Sequence, residues 1–239
     1  MRILVAGAAS HTARAFLPEL LACEAVSEVT GLDIAPLRLS HPKLRPLCLD
    51  IRSPELIRHM EGTDAVVHLA FVVLARILGR RRKDRALMRE INLHGSRNVF
   101  RAAAAAGVPH VIHASSVAVY GAWPDNANPI TEEQPRRPMP GFAYGEDKAA
   151  LEDWLDRFEQ EKIAPRVTRL RLHAIIGPHA QPLVNAIATA PIGIRPPDPE
   201  LRVQCLHEED AATALLAALF SSPGLLGAYS IFMSFKRFL

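Results

Sequence analysis

Short apolar runs and longer amphipathic or alanine-rich segments alternate along the chain. The runs are mostly continuous, as expected for parallel strands that helices cover on both faces. The predicted strands are Arg2–Ala6, Glu28–Asp33, Leu44–Cys48, Ala65–Leu69, His110–Ser115 and Arg166–His173. The predicted helices are Thr12–Ala22, Pro54–Met60, Asp84–Ala106, Ala143–Glu161 and Asp210–Phe220. This alternation predicts an α/β fold with a doubly wound parallel sheet.

Composition and charge narrow the class of protein. Of the 239 residues, 49% are hydrophobic and 22% are charged, which is typical of a globular protein. The formal net charge of +3 is too small to favour nucleic acid as a partner. Cys23, Cys48 and Cys205 are widely separated, so we expect neither a disulfide framework nor a metal site. These features favour a reducing compartment, and we expect a cytoplasmic protein.

Two apolar stretches could be a secretion signal or a membrane-spanning segment. The run Ile3–Gly7 is short and polar residues follow from Ser10 onward, so we expect a buried strand rather than a secretion signal. The stretch Ala65–Leu78 is interrupted by His68 and Arg76 and is too short to span a bilayer. We therefore expect no membrane partner.

The segment Gly7–Ala13 joins the first predicted strand to the first predicted helix. In a dinucleotide-binding turn, the first glycine permits the tight bend, the middle one lets the backbone approach pyrophosphate, and the last lets helix and strand pack closely. Here Ala13 replaces the last glycine with one added methyl group, and Ser10 replaces the middle one. Ser10 either weakens a pyrophosphate site or exchanges a backbone contact for a hydroxyl contact.

Acidic residues follow the second and third predicted strands. A carboxylate at Asp33 can accept hydrogen bonds from both ribose hydroxyls and would repel a 2′-phosphate, which favours NAD over NADP. Ile34 and Ala35, the next residues, supply no cation for such a phosphate. Asp50 and Ile51 are candidates to contact the adenine, Asp50 through the amino group and Ile51 by packing.

Tyr144 and Lys148 are the strongest local signal for catalysis. At positions i and i+4 they share one face of a helix. A phenol with a pKa of about 10 is a poor base near neutrality, but a nearby ammonium and a nicotinamide ring would lower that pKa. Ser116 follows a predicted strand, and its hydroxyl could hold the same substrate oxygen during hydride transfer.

With these motifs, the chain resembles an extended short-chain dehydrogenase/reductase of the NAD-dependent epimerase/dehydratase family. The likeness runs nearly from end to end. Further segments that carry it are Val66–Ala70, Asn92–Val99, Ser115–Gly121, Leu170–Arg171, Ile176–Pro178 and Gln204–Ala211.

The resemblance implies a Rossmann-type core with a small substrate lobe. Residues 1–173 would form the NAD-binding core with the catalytic residues, and residues 174–239 would supply short lobe segments that return to the core at about 203–230. Ser116, Tyr144 and Lys148 would be the catalytic triad. The expected NAD contacts are Gly7, Ser10, His11, Thr12, Asp33, Asp50, Ile51, Leu69, Ala70 and Lys148. Fewer residues follow Lys148 than nucleotide-sugar enzymes of this family usually carry, so we expect a reduced or clipped lobe.

The resemblance implies an NAD-dependent epimerase or oxidoreductase that acts by hydride transfer at a carbinol or carbonyl carbon. The expected substrate is a nucleotide sugar or a related sugar. Dehydratases of the family carry Thr-Asp-Glu where this chain has Ser116-Val117-Ala118, and neither valine nor alanine can exchange protons, so dehydration is not expected. The alternative is a dinucleotide-binding sensor or partner protein with little or no turnover. Ser10 and the short lobe favour it, whereas the complete Ser-Tyr-Lys set argues against it.

The resemblance also implies a homodimer. The predicted helices Asp84–Ala106 and Ala143–Glu161 are similar to the pair that family members pack against a twofold copy. Leu151, Leu155 and Phe158 are expected to supply apolar contacts to the partner. The alternative is that these three side chains pack onto their own sheet.

Overall fold

Seven parallel strands form the central sheet of the computed structural model, which describes residues 1–73, 81–180, 204–220 and 227–231. The strands of this sheet are β1 Arg2–Ala6, β2 Glu28–Asp33, β3 Leu44–Cys48, β4 Ala65–His68, β5 His110–Ser116, β6 Arg166–Leu172 and β9 Gly227–Ile231. Two short strands, β7 Ala174–Ile176 and β8 Cys205–His207, pair in parallel beside it. Much of the predicted substrate lobe lies outside the described residues.

The described helices flank the sheet on both faces. They are α1 His11–Ala22, α2 Arg81–Arg89, α3 Ser96–Ala105, α4 Ala143–Phe158 and α5 Glu208–Phe220. Short 3-10 segments span Pro54–His59 and Val117–Val119, and a π-helical segment spans Glu90–Gly95. One apolar cluster lies under α1 and α5, and a second lies under α3 and α4. Strands β1, β4, β5 and β6 are therefore buried on both faces, whereas the edge strand β3 is largely exposed. The predicted doubly wound α/β fold is confirmed.

The strand order β3-β2-β1-β4-β5-β6-β9 places a topological switch between β1 and β4. The chain runs outward from β1 through β2 and β3, and then returns to the other side of β1. In open parallel sheets, ligands bind outside the carboxyl ends of the strands at such a switch, where the connecting loops diverge. A ligand-binding site is therefore expected at the residues that follow β1 and β4.

The structure differs from the predicted elements in three respects. The predicted helix Asp84–Ala106 is divided by the π-helical segment into α2 and α3. The predicted helix Pro54–Met60 is a 3-10 segment capped by the Ser53 side chain, which accepts from the Glu55 amide at 3.2 Å. Strands β7, β8 and β9 were not predicted, because two of them have only three residues and the third, an edge strand, is not a continuous apolar run.

The expected role of Leu151, Leu155 and Phe158 at a dimer interface is wrong. Leu151 and Leu155 are fully buried and Phe158 is 2% exposed within a single chain. All three belong to the apolar cluster between the sheet and helices α3 and α4. Because α4 lies against its own sheet along this face, these side chains stabilise the chain itself.

Within the described ranges, no helix combines the length and the apolar character needed to cross a bilayer.

Candidate active site

Gly7 directly follows β1 at the switch point of the sheet. Its φ of +87° lies in the left-handed region, which glycine adopts without steric cost. A Cβ built on Gly7 would lie 2.4 Å from the backbone nitrogen of Ala70 and 2.7 Å from the carbonyl carbon of Leu69. The amides of Leu69 and Ala70 both donate to the Ala6 carbonyl, at 2.7 and 2.9 Å. The three predicted residues Gly7, Leu69 and Ala70 are therefore in direct backbone contact.

Ser10 begins the first turn of α1 as its N-cap. Its backbone is extended, with φ −65° and ψ 162°, so a side chain fits there without strain. The Ser10 hydroxyl accepts from the Ala13 amide at 3.2 Å, which satisfies one free donor of the helix end and leaves its own proton available. Ser10 therefore caps α1 at the position of the middle glycine.

His11 and Thr12, predicted to lie near the cofactor, form the first turn of α1 and are both half-buried. The His11 Nδ1 atom lies 3.0 Å from the carbonyl oxygen of His179, in the segment after β7. The N-terminus of α1 thus points to the carboxyl edge of the sheet, where the first-turn amides of a helix favour anions.

Asp33 ends β2 beside this turn. Its two carboxylate oxygens accept from the amides of Ala9 and Ala35, each at 2.9 Å. A carboxylate has about four lone-pair positions, so two acceptor positions remain for ribose hydroxyls. The structure therefore brings Asp33 to the glycine turn, in the place that the sequence predicted.

Asp50 and Ile51 have different surroundings from those expected of adenine contacts. Arg52 binds the Asp50 carboxylate in a bidentate pair, with its Nη2 atom 2.6 Å from Oδ2, and this pair holds the pKa of Asp50 below its usual value. The Ile51 side chain is buried, and its Cδ1 atom would lie 2.6 Å from a Cβ added to Gly95. The Ile51 side chain thus packs inward against Gly95, and much of the Asp50 acceptor capacity is used by Arg52.

Ser116 and Tyr144 come together at the carboxyl end of β5. The Ser116 oxygen accepts from the Ala118 amide at 3.2 Å, and its hydroxyl hydrogen-bonds the Tyr144 side chain. Tyr144 lies in the first turn of α4, where its ring meets the Phe71 ring edge-on at a centroid distance of 5.6 Å. Two residues that lie far apart in the sequence are therefore joined by one hydrogen bond.

Lys148 is one helical turn after Tyr144 and is 2% exposed. Its Nζ atom donates to the Ala114 carbonyl at 2.5 Å and lies 3.6 Å from the centroid of the Phe71 ring. Burial lowers the pKa of Lys148 to about 7, and the Glu152 carboxylate opposes this shift. The ammonium is thus held between β5 and the loop after β4 by a carbonyl and an aromatic face.

The predicted lowering of the Tyr144 pKa involves both Lys148 and a nicotinamide ring, and in the chain alone the pKa shift has the opposite direction. Burial raises the pKa of Tyr144 above 10, and the hydrogen bond from Ser116 opposes that shift only in part. The Lys148 Nζ atom is 5.8 Å from the centroid of the Tyr144 ring and donates to Ala114 instead. Desolvation of the phenolate therefore outweighs the hydrogen bond from Ser116.

Phe71 and Asn92 were not predicted as site residues. The Asn92 side chain binds both backbone groups of Val72, accepting from its amide at 2.8 Å and donating to its carbonyl at 3.1 Å. It also donates to the buried Asp147 carboxylate at 3.1 Å. Asn92 thus fixes the loop that presents Phe71 to Tyr144 and Lys148. Asn92 lies in the motif Asn92–Val99, which was the signal available in the sequence. The motif alone does not show which groups the Asn92 side chain binds.

Comparisons with known proteins identify the family of the chain. Residues 3–222 match the NAD dependent epimerase/dehydratase family. An uncharacterised protein of Mycobacterium tuberculosis is 30% identical over 186 residues, which cover 76% of this chain and 48% of that protein. A uronate dehydrogenase of Pseudomonas syringae is 28% identical over 176 residues, which cover 70% of this chain and 58% of the enzyme.

A solved structure of similar fold is the UDP-glucose 4-epimerase of Thermus thermophilus in complex with NAD. It has a TM-score of 0.78 and 27% identity, and the match covers 97% of this chain and 78% of the epimerase. The fold and the carboxyl-edge site define a Rossmann-type protein of the extended short-chain dehydrogenase/reductase class. The chain belongs to the NAD-dependent epimerase/dehydratase family. It spans about half the length of the uncharacterised mycobacterial relatives that it matches.

Proposed function

We propose that this protein binds NAD and catalyses hydride transfer at a carbinol or carbonyl carbon of a sugar, as an epimerase or an oxidoreductase. The observation that carries the proposal is the assembly of Ser116, Tyr144 and Lys148 at the carboxyl end of β5. This assembly lies on the edge of the sheet where β1 and β4 diverge. A hydroxyl, a phenol and an amine at a dinucleotide-binding edge suit the removal and return of one proton.

The residues around Gly7 fit a dinucleotide. The close packing of Gly7 on Ala70 opens the turn that leads to the N-terminus of α1, and Asp33 keeps acceptor positions for ribose hydroxyls. We assign the pyrophosphate to the turn at Ser10, His11 and Thr12. Bound there, NAD would supply the hydride acceptor for the substrate carbon and the hydride donor for the reverse step.

Tyr144, Lys148 and Ser116 would carry the proton and hold the substrate. In oxidation, the substrate hydroxyl gives its proton to the Tyr144 oxygen as the hydride leaves carbon, and in reduction Tyr144 gives the proton back. The Ser116 hydroxyl is placed to hold the same oxygen, because it already bonds Tyr144. Lys148 would orient the ribose and favour the phenolate by its charge. Val117 and Ala118 offer no further acid or base, so we propose that the reaction stops short of dehydration.

The substrate class we propose is a nucleotide sugar, with a free sugar acid as the second candidate. The similarity to a UDP-glucose 4-epimerase supports the first, and the similarity to a uronate dehydrogenase supports the second. The test is a panel of UDP-hexoses and free hexuronic acids, incubated with the protein and NAD. NADH absorbance reports net oxidation and chromatography reports epimers. NAD binding without turnover on any panel member would favour the non-catalytic dinucleotide-binding protein instead.

Asp33→Ala is expected to change the choice between NAD and NADP. Loss of the carboxylate removes the ribose acceptor and the repulsion of a 2′-phosphate, so NAD affinity should fall by about tenfold or more while NADP affinity holds or rises. Fluorescence titration with both dinucleotides measures the ratio. Asp64→Ala is the matched control, since Asp64 accepts from the Arg2 amide at the opposite end of the sheet. A wild-type protein that prefers NADP tenfold would show the assignment of Asp33 to be mistaken.

We also propose a homodimer formed through the outer faces of α3 and α4. With Leu151, Leu155 and Phe158 buried in the chain, the half-buried Trp154 is the candidate contact on α4. The guanidinium carbons of Arg97 and Arg101 on α3 lie 5.7 and 5.8 Å from its ring. Light scattering at micromolar concentration is expected to give twice the chain mass of 26.2 kDa. A monomer under those conditions would contradict the dimer.

The division into a core of residues 1–173 and a lobe of residues 174–239 stays a proposal, as does a cytoplasmic location. Strand β9 pairs with β6 in the central sheet, with Thr168 opposite Gly227 and Leu172 opposite Ile231. This pairing supports a return of the chain to the core after the lobe.

A further inference from the structure

Ser115 makes a third contact between β5 and α4, beside the two made by Lys148 and Tyr144. Its hydroxyl donates to the Glu152 Oε1 atom at 2.5 Å, and both side chains are buried. Tyr144, Lys148 and Glu152 follow each other at intervals of four residues, so they share one face of α4. One helix face therefore contacts three consecutive residues of β5, from Ala114 to Ser116.

Glu152 is held firmly by a second partner. The Arg171 guanidinium donates to both carboxylate oxygens, with its Nη2 atom 2.5 Å from Oε2 and its Nε atom 3.1 and 3.2 Å from the two oxygens. Arg171 also donates to the Tyr120 hydroxyl at 2.6 Å. Both charges are buried, and a buried carboxylate must be paired in this way to remain ionised. The Glu152 carboxylate is thus a fixed acceptor for Ser115.

We propose that Glu152 is a positioning residue, which anchors the Ser115 hydroxyl and thereby directs Ser116 towards Tyr144. The inference rests on the proposed function, because it concerns the alignment of the same Ser116 and Tyr144 side chains. Ser115 and Ser116 are consecutive residues of β5, so the hydrogen bond from Ser115 to Glu152 restrains the backbone at the strand end and with it the direction of Ser116. A hydrogen bond weakens steeply with misalignment, so a small rotation there would loosen the contact with Tyr144.

Ser115→Ala tests this role and removes only one hydroxyl. The readout is the carbon-13 resonance of the Tyr144 Cζ atom in tyrosine-labelled protein without substrate, assigned with Tyr144→Phe. Ser116→Ala, which deletes the hydrogen bond to Tyr144, sets the full scale of the change. Ser115→Ala is expected to move the resonance by about half of that scale or more, because the Ser116 hydroxyl loses its alignment. A resonance at the wild-type position in Ser115→Ala would overturn the proposal.

Two further variants separate positioning from general destabilisation. Ser27→Ala is the matched control, because the Ser27 hydroxyl donates to the Met1 carbonyl at the amino end of the sheet, and it is expected to leave the resonance unmoved. Glu152→Gln keeps an oxygen acceptor for Ser115, and it should hold the resonance closer to wild type than Glu152→Ala does. Equal shifts in Ser27→Ala and Ser115→Ala would also overturn the proposal.

Measurements of turnover distinguish a failure of this proposal from a failure of the proposed function. On a panel substrate, Ser115→Ala is expected to lower kcat by about tenfold with little change in KM, since misplaced catalytic groups slow the chemical step rather than binding. If Tyr144→Phe keeps full turnover, the proposed function fails and the resonance still decides whether Glu152 positions Ser116. If Tyr144→Phe is inactive and Ser115→Ala has wild-type kcat, the positioning role alone is rejected.

Discussion

Tyr144→Phe is expected to lower turnover on a panel substrate by about 10²-fold or more, while NAD affinity and the free energy of unfolding stay close to wild type. The substitution removes one oxygen and keeps the ring. The edge-on contact with Phe71 at 5.6 Å and the contact with Phe142 at 5.8 Å therefore persist. What is lost is the proton-transferring group and the partner of Ser116.

The measurement compares kcat and KM for the variant with the NAD dissociation constant from fluorescence titration. Tyr229→Phe is the matched control, because Tyr229 packs against the apolar cluster under α1 and α5 and has no place in the proposed proton transfer. It is expected to keep wild-type kcat. Near wild-type turnover in Tyr144→Phe would remove Tyr144 from the mechanism.

The raised pKa of Tyr144 affects how this residue could act as a base. In the chain alone, burial raises the pKa of the phenol and lowers that of Lys148 to about 7. A tyrosine that acts as a base near neutrality needs the opposite shift, and the chain's own groups do not supply it. A positive nicotinamide ring beside the phenol would favour the phenolate. The proposed mechanism therefore requires NAD for the base as well as for the hydride.

Much of the fold could be predicted because its signals are local. The observed bounds of β1, β2 and β3 equal the predicted ones, since each of these strands is a short run between loop residues. The i, i+4 spacing of Tyr144 and Lys148 was also enough to place both on one helix face. The edge strand β9 escaped prediction because Gly227–Ile231 is stabilised by pairing with β6, which is a tertiary contact.

The parts of the site that could not be predicted depend on residues brought together from distant elements. Glu152 and Arg171 form their buried pair across α4 and β6, and either one alone would be an ordinary charged residue. The inward packing of Ile51 follows from Gly95, whose missing side chain makes room for it. The pKa of Tyr144 depends on burial, which the spacing of residues does not report.

Gly7→Ala is expected to lower the free energy of unfolding by about 3 kcal/mol or more, and to abolish NAD binding where the variant still folds. Two costs combine, because Gly7 has φ +87° and an added Cβ would lie 2.4 Å from the Ala70 nitrogen. That nitrogen cannot withdraw easily, since it donates to the Ala6 carbonyl at 2.9 Å.

Gly107→Ala is the matched control. Gly107 has φ +71° with no atom within 4 Å of an added Cβ, so the variant should lose only about 1–2 kcal/mol of its free energy of unfolding. Urea unfolding of both variants, with NAD titration, isolates the cost of the contact between β1 and β4. Equal stability and equal NAD affinity in the two variants would show that this contact does not shape the dinucleotide turn.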